Sequence, residues 1–280
     1  MSAVWHLKRS KLPQAVLGCG LAVAENSRLI VIGGIVDNSS HGTKRVCQVD
    51  LQRNACTDLA PMQVGRFYGG VAALNGRVYA AGGFSDASTI LDAMECYEPE
   101  KDVWQSVAAL PLPLAAFVMV VFKDRLYVFG GCLQMRAEPV NSTFCYDPEA
   151  NAWSKLADMP TARKYCSACV GLNGLVYGIG GLKGLRCVQA YDPISDRWLK
   201  KSNTINQHFG AGCACVDGKV YVVGGCIRAT GSDIEVYDED ADTWRLLPCR
   251  LPANQTSFGC AVLTVKKGQS LAGQLILSSD

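Results

Sequence analysis

The sequence Asp124-Arg125-Leu126-Tyr127-Val128-Phe129-Gly130-Gly131 is followed, after a variable segment, by Tyr146-Asp147-Pro148 and then by Trp153. The same order of an apolar run, two glycines and a Tyr/Trp pair seven residues apart recurs along the chain, with Val49 and Cys56 replacing the aromatic pair in the first copy. The double glycines lie 44 to 50 residues apart, at Gly33-Gly34, Gly82-Gly83, Gly130-Gly131, Gly180-Gly181 and Gly224-Gly225. A repeat of this length predicts a β-propeller or a solenoid.

Each complete repeat divides into four short strands, which we call a, b, c and d. In the second repeat they are predicted at Tyr68–Leu74, Arg77–Gly82, Leu91–Tyr97 and Val103–Ala108. Asn75-Gly76, between the first two, is typical of a tight hairpin turn. Because four antiparallel strands recur without helical periodicity, the pattern favours propeller blades over a solenoid.

The repeated glycines and tryptophans have different predicted roles. Glycines at the end of strand b permit a positive φ or the close approach of a neighbouring backbone. The tryptophans of strand d provide the largest packing element of each repeat, and they are Trp104, Trp153, Trp198 and Trp244. Burying such a side chain is worth up to about 4–6 kcal/mol, so Trp153→Ala is predicted to be severely destabilising.

The Gly-Gly, Tyr and Trp spacing resembles the kelch repeat, in five copies that cover residues 15–247. The copies span about 15–60, 66–110, 114–158, 163–202 and 207–248. The resemblance implies an all-β, kelch-type β-propeller with five full four-stranded blades, in a single domain over residues 1–280. In the kelch-like family such propellers have six blades and serve as protein-recognition domains.

The two ends of the chain resemble parts of a sixth, incomplete blade shared between the N- and C-termini. Residues 2–8 resemble strand d, and residues 257–277 contain segments that resemble strands a and b, whereas strand c has no candidate. The BTB and BACK domains that many kelch-like proteins carry are also missing from this sequence. We therefore expect a shortened isoform of a longer protein, and recruitment of a cullin ubiquitin ligase only indirectly or through a longer isoform.

The composition argues against several classes of function. A net charge of +2 and a charged fraction of 19% provide no global field for binding nucleic acid or an acidic membrane surface. The longest apolar run, Leu114–Phe122, is half as long as a membrane-spanning helix requires. The 14 cysteines lie mostly within apolar strand patterns, which is typical of buried thiols in a reducing compartment. A cytoplasmic location is therefore predicted.

Two short segments have alternative interpretations. The apolar run Ala15–Ala24 follows basic residues and resembles a secretory signal, but it also aligns with strand a of the other repeats, and we favour the strand. Cys166 and Cys169 have the spacing of a metal-ligand pair, yet no second pair exists, and positions i and i+3 of a strand face opposite sides. No cofactor and no metal are predicted.

The predicted binding face is the edge of the blades that carries the b–c loops and the links from strand d to the next strand a. This edge is rich in basic residues, whereas the c–d turns at the opposite edge are acidic. Arg66, Arg163 and Gln207 share one repeat position, two before an aromatic residue, which the resemblance identifies as ligand-contacting. The b–c loops add Arg136, Lys183 and Arg228. We predict that this face binds an acidic peptide segment of a protein partner; the alternative is that these are solvated loop charges.

No catalytic arrangement is recognisable in the sequence. The three histidines, His6, His41 and His208, have no ligand spacing to another His, Cys or carboxylate. The chain is therefore predicted to be a non-enzymatic protein-interaction module. The leading hypothesis is substrate or partner recognition, as in kelch-like adaptors of cullin-RING ubiquitin ligases; the alternative is an actin-binding cytoskeletal scaffold.

Overall fold

The computed structural model describes residues 6–9, 16–24, 28–36, 39–50, 53, 55–225, 232–251, 259–263 and 274–278. The chain forms two compact units, which we call unit 1 (Met1–Ala115 with Gly259–Asp280) and unit 2 (Ala116–Phe258). The described residues form strands, bridges and turns, with no helix among them. The single domain over residues 1–280 stays a prediction.

The strands are numbered in chain order. Unit 1 begins with β1 (His6–Arg9), β2 (Val16–Leu17), β3 (Gly20–Ala24), β4 (Arg28–Ile32), β5 (Ile35–Val36), β6 (Val46–Asp50), β7 (Ala55–Leu59), β8 (Gly70–Leu74), β9 (Arg77–Ala81), β10 (Met94–Glu98) and β11 (Val103–Val107). Unit 2 has β12 (Val118–Phe122), β13 (Arg125–Phe129), β14 (Thr143–Asp147), β15 (Ala152–Leu156), β16 (Ser167–Val170), β17 (Val176–Ile179), β18 (Val188–Asp192), β19 (Arg197–Lys201), β20 (Gly212–Val216), β21 (Lys219–Val223), β22 (Asp233–Asp238) and β23 (Thr243–Arg250). Unit 1 ends with β24 (Gly259–Leu263) and β25 (Gln274–Ser278).

Most of these strands form antiparallel four-stranded sheets, which we call blades 1 to 5. Blades 1 and 2, in unit 1, have the strand orders β3-β4-β6-β7 and β8-β9-β10-β11. Blades 3, 4 and 5, in unit 2, have the orders β12-β13-β14-β15, β16-β17-β18-β19 and β20-β21-β22-β23. The predicted meander of strands a to d is therefore confirmed in all five repeats. The short pair β2–β5 was not predicted; its bridge between Leu17 and Ile35 recurs as isolated bridges in blade 2, Phe67–Phe84, and in blade 4, Lys164–Leu182.

The seven-residue spacing of Tyr and Trp places the two rings opposite each other on neighbouring strands. It makes Tyr146 on strand c the direct register partner of Trp153 on strand d, and their ring centroids lie 5.1 Å apart. The equivalent pairs in blades 2, 4 and 5 have centroid distances of 4.9 to 5.2 Å. Aromatic rings attract one another at such distances. In blade 1, Val49 and Cys56 oppose each other in the same register.

The incomplete sixth blade is also confirmed, as the three-stranded sheet β1-β25-β24. Strand β24 pairs antiparallel with β25, as strands a and b do in the other blades, whereas β25 pairs in parallel with β1. In a complete blade, strands b and d both run opposite to strand c and hence parallel to each other. Strand β1 therefore runs in the direction expected of strand d. It pairs directly with β25, the strand b of this blade, where a complete blade has strand c between them. Residues 2–5, 257–258 and 264–273 of the predicted closing fragments lie outside the described residues.

The double glycine at the end of strand b holds the link that enters the next blade. In blade 3, the Gly131 N–H donates to the Arg163 carbonyl at 2.9 Å. Gly130 has a φ of +70°, and a Cβ there would lie 2.5 Å from the same carbonyl oxygen. The predicted need for a positive φ and close backbone approach is thus confirmed.

Each of three links is also held by two side chains of the following blade, an arrangement that we call the link clamp. The Ala60 N–H donates to Asp102 Oδ1 at 2.8 Å, and the Ala60 carbonyl accepts from the Trp104 indole N–H at 2.9 Å. The same clamp holds Ala157 through Asp196 and Trp198, and Ser202 through Asp242 and Trp244. The tryptophan therefore satisfies a backbone carbonyl as well as filling space.

The acid of the clamp also accepts the tyrosine hydroxyl of its own blade. Tyr97 donates to Asp102 at 2.7 Å, and this bond, with the one from the Ala60 N–H, lowers the pKa of Asp102. Burial and Asp102 together raise the pKa of Tyr97. In blade 3 an amide takes this place, because Tyr146 donates to Asn151 at 2.7 Å. The sequence placed these acids at the acidic edge without revealing their structural role.

We expect Trp104→Ala to lower the free energy of unfolding by about 3–5 kcal/mol, because it leaves a cavity and an unpaired carbonyl. Trp104 is 7% exposed. Trp153 is only half-buried, so Trp153→Ala should cost less than the sequence predicted. Urea denaturation measures both losses. Val103→Ala, at a neighbouring position that is 37% exposed, is the control, and a loss as large as that of Trp104→Ala would contradict the clamp.

We expect Asp102→Asn to reduce the dependence of stability on acid pH. Because the folded-state pKa of Asp102 is lowered, its carboxylate contributes stability that is present above the unfolded pKa of about 4 and lost as the pH falls through the folded value. Asparagine keeps the acceptor, as Asn151 does in blade 3. The variant should have a lower free energy of unfolding than the wild type at pH 7, and this difference in free energy should become smaller below about pH 4. A difference that stays constant in urea titrations from pH 3 to 7 would contradict the assignment.

Candidate functional site

Arg66, a predicted ligand contact, is buried in blade 2 with only 2% of its side chain exposed. Its Nη1 donates to the carbonyls of Gly82 and Ala93 at 2.8 and 2.9 Å, and its Nη2 donates to Glu95 Oε1 at 2.6 Å. Desolvation lowers the pKa of Arg66, and the bond to Glu95 opposes this shift. The guanidinium therefore joins its link to strand c of the same blade.

Arg163 has the same role in blade 4 and is fully buried. Its Nη2 donates to Gln189 Oε1 at 2.7 Å, and its Nη1 donates to the Cys187 carbonyl at 3.1 Å and to the Gly178 and Gly180 carbonyls at 3.3 Å. The structure thus corrects the expectation that Arg66 and Arg163 are exposed for contact with a ligand. Both donate to groups of their own blades, because a buried guanidinium requires such acceptors.

Gln207 does not occupy the repeat position of these arginines. The position belongs to His208, which is 2% exposed and whose backbone carbonyl accepts from the Gly181 N–H, as the Arg163 carbonyl accepts from Gly131. The His208 ring bonds through Nδ1 to the Gly224 carbonyl at 2.7 Å and lies with Nε2 3.1 Å from Glu235 Oε1. Gln207 itself is exposed. The alignment on the aromatic residue was wrong by one position.

The acceptors for these buried donors lie two residues before the tyrosine of strand c, and the sequence interpretation missed them. They are Glu95, Gln189 and Glu235, all buried. Glu235 also accepts the backbone N–H groups of Ile205 and Asn206, both at 2.7 Å. In blade 3 the two corresponding positions hold Leu114 and Phe144, so an apolar link residue accompanies an apolar residue on strand c. The residue at the link position and the residue two before the strand c tyrosine are thus both polar or both apolar, and this covariation within the sequence could have identified the buried pairs.

We expect Arg66→Ala to lower the free energy of unfolding by about 3–5 kcal/mol, because it leaves Glu95 buried without its cation. Arg136→Ala should change stability by no more than about 0.5 kcal/mol, since Arg136 is exposed. Guanidinium denaturation measures both values. If Arg66→Ala proved as mild as Arg136→Ala, the buried pair would not stabilise blade 2.

Hydrogen bonds join the b–c loops of blades 3 and 4 to the links between blades. Lys164 is 4% exposed, and its Nζ donates to the Met135 and Ala137 carbonyls at 3.2 and 2.9 Å. The Leu182 N–H then bonds to the Lys164 carbonyl at 2.8 Å. A bond of 3.0 Å from the Thr204 N–H to the Arg186 carbonyl continues the series. The loops of blades 3 and 4 and the link entering blade 5 thus form one continuous surface.

We call this surface the loop face. It exposes three large apolar side chains, Leu133, Leu182 and Ile205, at 42, 37 and 40%. Its exposed polar and charged side chains are Gln134, Arg136, Glu138, Lys183, Arg186 and Gln207. Lys183 is paired with Glu138, and Arg186 Nε donates to the Thr204 carbonyl at 2.7 Å. Of the predicted binding residues, the structure brings Arg136, Lys183 and Gln207 to this face, while Arg228 lies outside the described residues.

The apolar members of the loop face were not predicted. No residue type or spacing in the sequence separates Leu133, Leu182 and Ile205 from the apolar residues of the core, because only the folded loops determine their exposure. Apolar groups beside basic ones provide contacts for a ligand that carries apolar side chains and carboxylates.

No metal centre stands out in the described part of the chain. Its His, Cys, Asp and Glu side chains form no group of three or more that could hold a metal ion. Burial raises the pKa of the Cys166 thiol to about 11, so this thiol stays protonated at neutral pH. The Cys169 sulfur lies 3.0 Å from that of Cys213 in the next blade. The described residues contain no helix with the length and apolarity needed to cross a membrane.

Comparison with known proteins gives consistent matches. The family model described as the KLHDC2/KLHL20/DRC7 Kelch-repeats domain matches residues 18–225, and the Kelch motif matches residues 208–250. Kelch-like protein 34 of Homo sapiens is 28% identical over 280 residues, covering 92% of this chain and 43% of that protein. Kelch-like protein 26 of Danio rerio is 28% identical, covering 84% of this chain and 41% of that protein. The chain therefore spans about two fifths of the length of these curated relatives.

A solved structure shows the same fold. The structure titled "Structure of YjhT" superposes with a TM-score of 0.74 at 15% identity, covering 89% of this chain and 88% of that chain. At this identity the likeness concerns the fold alone.

Proposed function

The chain belongs to the kelch-repeat family of β-propeller proteins, and on this premise we propose that it is a protein-binding module whose ligand occupies the loop face of unit 2. The observation that carries the proposal is the exposure of Leu133, Leu182 and Ile205 on loops held by hydrogen bonds. Large apolar side chains exposed together on a rigid surface are typical of a protein-interaction site. Little ordering entropy is then lost when a ligand binds.

The chemistry of the loop face favours a ligand with both apolar and acidic side chains. The loop face has three exposed basic side chains, Arg136, Lys183 and Arg186, and one exposed carboxylate, Glu138. Basic side chains at the rim of an interface steer an acidic segment towards it, and the buried apolar contacts supply most of the affinity. We therefore retain the acidic peptide segment as the proposed ligand, with Arg66 and Arg163 as supports of the fold.

The proposed biological role is recognition of a partner or substrate, without catalysis, in a cytoplasmic protein. Kelch-like adaptors of cullin-RING ubiquitin ligases use propellers in this way, and that resemblance supports the role. The matched relatives are more than twice as long as this chain, so assembly with a ligase is proposed for a whole protein of that length. No feature of the loop face favours actin over another acidic partner.

An array of synthetic peptides, followed by fluorescence anisotropy on the best binders, tests the ligand class. We expect acidic peptides with apolar residues to bind better than neutral peptides. The double variant Arg136→Glu/Lys183→Glu should weaken binding at least about tenfold, or 1.4 kcal/mol. The control is Arg197→Glu/Lys219→Glu, which makes the same charge change at exposed positions beside the c–d and a–b turns of unit 2.

Equal weakening by the two double variants would show that net charge, and not the loop face, determines binding. Equal binding of acidic and neutral peptides would contradict the acidic ligand. Saturable cosedimentation with actin filaments near micromolar concentration would favour the scaffold in place of the adaptor role.

A further inference from the structure

Blade 4 departs from the other blades at the edge opposite the loop face. We call this edge, in unit 2, the turn edge; it comprises the a–b turns at 122–125, 171–175 and 216–219 and the c–d turns at 147–151, 192–197 and 238–242. Among the described residues, the two most exposed large apolar side chains both lie here, in blade 4. They are Leu172, at 80%, and Ile194, at 83%. Neither of them belongs to the loop face.

Ile194 replaces an acidic residue of the repeat. It is the third residue after the tyrosine of strand c, and blades 2, 3 and 5 have Glu100, Glu149 and Asp240 at this position. The turn that presents it is fixed, because Asp192 Oδ1 accepts the Ile194 N–H at 2.9 Å and Asp192 Oδ2 accepts the Ser195 hydroxyl at 2.6 Å. An exposed isoleucine gains nothing for the fold at a place where the other blades use a carboxylate.

Leu172 lies in an a–b turn that is one residue longer than the turns of blades 2, 3 and 5. In blades 2, 3 and 5, two residues join strands a and b, since Leu74 pairs with Arg77, Phe122 with Arg125 and Val216 with Lys219. In blade 4 the last pair is Val170 with Val176, and the Gly171 N–H bonds to the Leu175 carbonyl, so the turn lengthens to Leu172-Asn173-Gly174. The Leu172 side chain lies over the glycine of the next hairpin, with Cδ2 3.0 Å from the ideal Cβ position of Gly218.

The surroundings of these two residues are strongly acidic. The turn edge carries ten carboxylates: Asp124, Asp147, Glu149, Asp192, Asp196, Asp217, Asp238, Glu239, Asp240 and Asp242. It carries four basic side chains, Lys123, Arg125, Arg197 and Lys219. Over the whole chain the two signs nearly balance, with 25 acidic and 27 basic residues. The field at this edge therefore attracts cations and repels the acidic ligand that the loop face favours.

We propose that the turn edge of blade 4 is a second protein-docking surface, whose partner is a basic segment that places two apolar side chains on Leu172 and Ile194. The a–b and c–d turns of one blade are two strand spacings apart, which is about 10 Å. A helix presents side chains at that separation when they lie at positions i and i+7, about 10.5 Å apart along one face. A basic amphipathic helix therefore matches the surface in charge and spacing.

A synthetic peptide tests this proposal with the full chain. The probe is a lysine-rich helical peptide with leucines at i and i+7, labelled for fluorescence anisotropy, and its control has the same composition with the leucines on opposite faces. We expect the wild-type chain to bind the patterned peptide at least about fivefold more tightly than the control peptide. Leu172→Ser/Ile194→Glu should abolish that preference and weaken binding of the patterned peptide at least about tenfold.

The choice of Ile194→Glu separates apolar contact from charge. It makes the edge more acidic, so binding driven by charge alone would strengthen, whereas the proposed contact would be lost. Glutamate is already present at this position in blade 3, as Glu149, so the variant should fold, which its thermal unfolding checks. Leu246→Glu, at a site 42% exposed on β23, makes the same charge change elsewhere and should leave binding unchanged.

Two results would overturn the proposal. One is a wild-type chain that binds the patterned and control peptides equally. The other is a Leu172→Ser/Ile194→Glu variant that binds the patterned peptide as tightly as the wild type or more so. Arg136→Glu/Lys183→Glu should keep this binding, so that failure of the loop-face proposal and failure of this one are distinguishable.

Discussion

The hydrogen bonds of the link peptide are the constraint on which the packing of successive blades within each unit depends. A link leaves one blade and enters the next, so its N–H and carbonyl groups cannot pair within a ladder. The acid and the tryptophan of the following blade satisfy both groups of one link residue, as at Ala60 and Ala157. The indole N–H pairs a part-buried carbonyl and the acid pairs a more exposed N–H group, so the acid and tryptophan recur together because they serve the same link residue.

The fold could be predicted from the sequence because its requirements are local. A glycine with a positive φ, a hairpin turn and a cross-strand aromatic pair can each be recognised from residue types within a segment of about ten residues. The sixth blade could also be predicted, since its strands resemble those of the repeats. The pairing of β2 with β5 could not be predicted in this way, although its bridge Leu17–Ile35 recurs as Phe67–Phe84 in blade 2 and as Lys164–Leu182 in blade 4, because the paired residues share no residue type.

The candidate site was less accessible to prediction, because exposure depends on partners far away in sequence. Arg66 and Arg136 are the same residue type, but Arg66 is buried and Arg136 is exposed. Arg66 can be buried because it pairs with Glu95, which lies 29 residues away in the sequence. Counting from strand d would have located the position correctly. The strand d residue that pairs with the Tyr position of strand c is followed, ten residues later, by the equivalent link residue. The pairs are Cys56 and Arg66, Trp104 and Leu114, Trp153 and Arg163, and Trp198 and His208. That count would have selected His208 over Gln207.

The sheet formed by β1, β24 and β25 bears on the order in which the protein folds. His6 pairs with Gln274, so this contact closes a loop of 268 residues, whereas each hairpin of a blade closes a loop of a few residues. Chain-entropy scaling puts the cost of that closure at about 5 kcal/mol before any contact repays it. Hairpins inside the blades therefore form first, and the pairing of the chain ends is a late, slow event. Until it occurs, the edges of β1 and β25 are open to pairing with another chain, so this sheet is exposed to misassembly during folding.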